Sequence, residues 1–197
     1  MDSLDRASLV LGRVDLLYGL LSRLVRLMID GRAQGSIRNA HEHVASDVVN
    51  AFLKDLRGAY PPCDTAPSVI VATPSTEYFE LDALLLAATA RCEGWNTTYL
   101  GSNLPAEEAA AAVSQCQAKV IAMSIPVSTD RPVIKAELKK LARVLDDSVE
   151  FLVEGPEGST YQDLLESVGA TFLEDLHEFR EFLYATRVLS LGGGERP

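Results

Sequence analysis

The sequence predicts an α/β fold, a five-stranded parallel sheet preceded by a short helical cap. Three observations predict it. Five short apolar runs follow Pro67: "SVIVAT", "NTTYLG", "KVIAMSI", "EFLVEG" and "ATFLED". Longer stretches of helical periodicity separate them, and strands joined by such crossovers lie parallel with helices on both faces. Everything from Ser3 to about Ala59 is helical in pattern, and so forms a separate layer ahead of the sheet.

The elements follow in order. In the first helix Leu9, Leu16, Leu17, Leu20, Leu21, Leu24, Leu27 and Met28 recur at helical spacing, and "DGRAQGS" ends it at Gly31 and Gly35. A second helix, Asn39 to Arg57, carries Val44, Val48, Val49, Phe52, Leu53 and Leu56. The stretch "YPPCDTAPS" holds three prolines and cannot continue a helix, so it reads as a linker. The helices between the apolar runs begin near Glu77, Ala106, Val133, Ser159 and Asp175. The organisation expected is a cap over 1–59, a linker over 60–68, an α/β domain over 69–186 and a frayed tail over 187–197.

With 197 residues, 47% of them hydrophobic, the chain can bury a sizeable core. A net charge of −10 and scattered basic residues argue against a nucleic-acid surface, which needs clustered Lys and Arg. The apolar stretch from Leu9 to Ile29 is interrupted by Arg13, Asp15, Arg23 and Arg26, so it is not a membrane span. No basic segment leads into an apolar one at the N-terminus, and the three cysteines (Cys63, Cys92 and Cys116) form no metal-binding pattern. A cytoplasmic location is the expectation. The first helix carries apolar residues around more than one stripe, more than one partner helix would bury. This predicts a homodimer through the N-terminal helices.

Catalytic patterns are missing from the sequence: there is no P-loop, no G-x-G-x-x-G and no G-x-S-x-G elbow. A non-enzymatic role is expected, with no catalytic residue and no metal site assigned.

Three local signatures carry a resemblance: "GSIRNAHEHVASDVV", with Glu42-His43 followed by Ala45-Ser46; "ATPSTEYFELDALLLA" after the first strand; and "GWNTTYLGSNLPAEE", where the second strand ends at Gly101. In this order and spacing the chain resembles the cobalamin-binding module of light- and cobalamin-responsive MerR-type regulators and their stand-alone relatives. The resemblance runs from about Gly31 to Leu183 and implies a flavodoxin-like (Rossmann-like) sheet under a helical cap. It does not extend to a DNA-binding domain.

In that family the turn after the first strand carries Glu-x-His-x-x-Gly, whose histidine binds cobalt and whose glycine makes room for the nucleotide tail. Here the turn reads Glu77-Tyr78-Phe79-Glu80-Leu81-Asp82. Phe79 stands at the histidine position and has no lone pair to give a metal. Asp82 stands at the glycine position, and Glu154-Gly155 stands where a glycine pair lines the tail channel.

The candidate ligand-facing residues are Glu42, His43, Thr73, Tyr78, Phe79, Ser102, Asn103, Ser124, Ser128, Glu154 and Gly155. By the switch-point rule the loops among them face one crevice outside the strand C-terminal ends. His43 either faces that crevice or links cap and sheet as a satisfied interface residue. Phe79 and Tyr78 either floor a flat ligand or plug the vacated channel. The expected function is sensory or regulatory and photoreceptor-like, with a tetrapyrrole (cobalamin without a histidine from below, haem or a bilin) held between cap and sheet. The alternatives are a ligand-free module that contacts a transcriptional regulator, and a corrinoid-carrying enzyme subunit.

Overall fold

A computed structural model describes residues 3–12, 15–58, 61–126 and 130–192. Five parallel strands form one sheet in the order β2-β1-β3-β4-β5: β1 (Ser68–Ala72), β2 (Asn96–Tyr99), β3 (Val120–Ser124), β4 (Glu150–Glu154) and β5 (Thr171–Leu173). This is the flavodoxin-like order, whose switch point lies between β1 and β3. The cap comprises α1 (Ser3–Val10), a π-helical segment (Asp15–Leu21), α2 (Ser22–Ala33) and α3 (Asn39–Gly58). The remaining helices are α4 (Leu81–Cys92), α5 (Ala106–Gln115), α6 (Arg131–Val144), α7 (Gln162–Ser167) and α8 (Leu176–Gly192).

Side chains of a strand alternate between faces, and the two cores follow that alternation. Val69, Val71, Val120, Ala122 and Leu152 point into one core with α4, α8 and the cap. Ile70, Ala72, Ile121, Met123, Phe151 and Val153 point into the other with α5 and α6. The same period sends Thr73, Ser124 and Glu154, at the strand ends, toward the face that carries the cap.

Helix α4 touches β1, β2, β3, α2, α3 and α8. Its run of Leu and Ala is buried on almost every side, which suits a helix packed between two layers. Helix α3 buries Ser46, Val49 and Leu53, one face at helical spacing.

Four expectations need correction. The first cap helix is not continuous: α1 stops at Val10, and Leu11 and Gly12 lie outside any helix ahead of the segment Asp15–Leu21. Gly31 does not end α2, which continues to Ala33. Ile37 packs over Gly31, where a Cβ would lie 2.6 Å from its Cδ1, and the chain turns at Gly35 with φ +72°. The helix expected near Glu77 begins at Leu81, because the turn from Pro74 to Glu80 is held by its own hydrogen bonds. Helix α8 reaches Gly192, beyond the expected start of the tail, and residues 193–197 lie outside the described residues.

Candidate functional site

The turn after β1 bonds its polar groups partly to itself and partly to the loop after β2 and to α6. Thr73 Oγ1 donates to the Glu77 carbonyl (2.7 Å) and accepts from Asn103 N (3.0 Å). Thr76 N donates to Asn103 Oδ1 (2.9 Å), and both Thr76 and Asn103 adopt positive φ, 73° and 57°. Phe79 N donates to the buried carboxylate of Glu77 (3.0 Å). From α6, Glu137 Oε2 accepts from Ala106 N (2.7 Å) and Ser75 Oγ (3.2 Å), tying the turn to the start of α5.

The two aromatic residues of this turn part company. Phe79 is 1% exposed and lies in the apolar core shared by the cap, α4 and the sheet, while Tyr78 is 62% exposed. Glu80 accepts a hydrogen bond from Tyr99 Oη (2.9 Å).

Ser124 and Glu154 are cross-strand partners at the ends of β3 and β4. Glu154 lines a cavity of about 20 Å³ together with Arg26, Asp82, Asp175 and Ser22, room for about one water molecule. Burial pushes the Asp82 carboxyl up to about 6, opposed by the nearby Arg26 guanidinium. Burial, and then the Asp82 charge, raise Glu154 well above the usual carboxylate range. Gly155 turns with φ +117°, and a Cβ there would lie 2.7 Å from the Ile125 carbonyl oxygen.

The structure thus joins Thr73 to Asn103, and Ser124 to Glu154 and Gly155. Ser102 is half-buried in the loop after β2, and His43 is exposed on α3. The Glu42 side chain and Ser128 lie outside the described residues. Sequence reasoning missed Arg26 and Asp175. Arg26 stands one turn after Ser22 on the same helical face, and neither belongs to a motif, so no local signal marks it. Asp175 also caps α8, accepting from His177 N (2.8 Å) and Glu178 N (3.0 Å). Among the described residues no group of three or more His, Cys, Asp or Glu side chains could hold a metal ion.

The family model described as "B12 binding domain" matches residues 67–183. The chain belongs to the B12-binding domain family. This family member is 28% identical over 145 residues to the HTH-type transcriptional repressor CarA of Myxococcus xanthus, covering 71% of this chain and 48% of that protein. The chain therefore spans about half the length of that relative. Among solved structures, the Methanosarcina barkeri monomethylamine corrinoid protein superposes with a TM-score of 0.67 at 16% identity, over 93% of this chain and 88% of that one. A cobalamin-binding protein from Desulfitobacterium hafniense DCB-2 superposes with a TM-score of 0.51 at 13% identity, over 93% of this chain and 88% of that one. At such identities these superpositions show the fold. No helix among the described residues is long and apolar enough to cross a membrane.

Proposed function

We propose that this chain is a non-enzymatic regulatory member of the B12-binding family that acts through protein contacts, without a histidine-ligated cobalamin. The observation that carries this reading is the filled space between cap and sheet. Phe79 occupies the core there, and the carboxyl groups of Asp82 and Glu154 line a cavity too small for any tetrapyrrole. A side chain with no lone pair cannot hold cobalt from below, so the residues present do not fit that cofactor. Its partner is a transcriptional regulator of the kind its relative represents, and a second copy of the chain joins through the cap.

The second reading, a tetrapyrrole held in an atypical way, draws on family membership and on the exposed ring of Tyr78 beside the turn. Absorbance separates the two. The protein is mixed in turn with cobalamin, haem and biliverdin, then desalted. Colourless protein in all three cases is expected; a retained, shifted band would favour the tetrapyrrole.

A further inference from the structure

Four ionisable side chains from four parts of the fold meet in the small cavity beneath the cap: Arg26 on α2, Asp82 in the first turn of α4, Glu154 at the end of β4 and Asp175 ahead of α8. Glu154 is 5% exposed, and its Oε2 has no hydrogen-bond partner among the described residues. Three carboxyl groups face one guanidinium in a space for about one water. Arg26 and Asp175 reach solvent, whereas Asp82 is half-buried and Glu154 buried, so ionising both Asp82 and Glu154 carries a desolvation cost that a single cation does not offset.

We propose that Arg26, Asp82 and Glu154 form a proton-operated latch that fixes the helical cap over the strand ends. While the carboxyl pair holds a proton, Arg26 answers the remaining charge and the cap stays seated. Loss of that proton places a second negative charge beside the first, with Asp175 adding to the repulsion. Lifting α2 admits water and relieves it. Both carboxyl groups have raised proton affinity in the folded chain. Their contribution to cap docking is therefore fully present at low pH and is lost as pH rises through about 6 and beyond. The latch rests on the reading that these side chains fill the cap–sheet space. A retained chromophore would overturn that reading by absorbance, whereas the latch is read by exchange.

The test is hydrogen–deuterium exchange of the full chain at about pH 5.5 and about pH 8.5, with intrinsic exchange rates corrected. Each unit of raised carboxyl pKa corresponds to about tenfold in the docking equilibrium. Protection of α2 is expected to fall at least about tenfold at the higher pH, while the α5–α6 face keeps its protection. Glu154→Gln, which resembles the protonated side chain, is expected to shrink the fall in α2 protection to the smaller part that Asp82 alone contributes. A pH-independent cap in the unaltered chain, or the same fall in Glu154→Gln, would overturn the latch. Carboxyl-carbon NMR of the unaltered chain covers the case of a variant that does not fold: Glu154 titrating in the ordinary carboxylate range overturns it as well.

Discussion

Ser124 and Glu154 sit side by side at the ends of β3 and β4, and each has a buried side-chain oxygen without a hydrogen-bond partner among the described residues. Buried polar atoms are ordinarily paired, and an orphan carries its desolvation cost without return. Ser124→Ala removes one such atom and leaves the strand intact. It is expected to leave stability unchanged or raise it by up to about 1 kcal/mol, measured by urea unfolding. A loss of stability would show that Ser124 has a partner in solution.

Phe79 and Tyr78 are neighbours with opposite environments, so their truncations should differ. Phe79→Ala is expected to cost about 3–5 kcal/mol, as for a phenylalanine removed from a packed core. Tyr78→Ala, at an exposed site, should stay within about 0.5 kcal/mol. Equal effects in denaturant unfolding would contradict the plug.

Much of the fold was legible because buried parallel strands read as short apolar runs bounded by turn residues. All five runs became strands, and Asn39 to Arg57 became α3 almost to the residue. Phe79 and Asp82 were legible as departures from a pattern. Their placement beside the cap, with Arg26 facing Asp82, was not. It depends on how the cap is seated, a tertiary arrangement that no local spacing encodes. The late start of α4 was hidden for a related reason: besides its local bonds, the turn is closed by hydrogen bonds that join Thr73 and Thr76 to the distant Asn103.

Gly155 is where the β4 end passes the backbone of Ile125. A side chain there would meet positive φ and a carbonyl oxygen at once. Gly155→Ala is expected to destabilise the fold by about 1–3 kcal/mol, read as a lowered unfolding midpoint with an unchanged denaturant slope. A neutral substitution would mean that the loop after β4 can move away from β3.

Restoring a cofactor channel should take three changes rather than two. Phe79→His supplies a metal ligand and Asp82→Gly removes one carboxylate, but Glu154 still lines the same cavity. The double variant is expected to leave cobalamin unbound after desalting, and adding Glu154→Gly is expected to produce a retained absorbance band. Binding by the double variant would show that Glu154 does not obstruct the channel.

The cap presents an apolar groove of about 500 Å³, lined by Leu4, Leu24, Val44, Ala45, Val48 and Val49. Val44 and Val48, one turn apart on α3, are 65% and 41% exposed. Charge favours a second copy as the occupant. Residues 1–58 carry eight basic and seven acidic side chains, whereas the rest carries ten and twenty-one. Two caps can meet with little repulsion while the acidic domains stay apart. Light scattering is expected to give a dimer at micromolar concentration, and Val44→Lys with Val48→Lys a monomer of unchanged helicity. A monomeric unaltered chain, or a double variant that stays dimeric, would place the interface elsewhere or remove it.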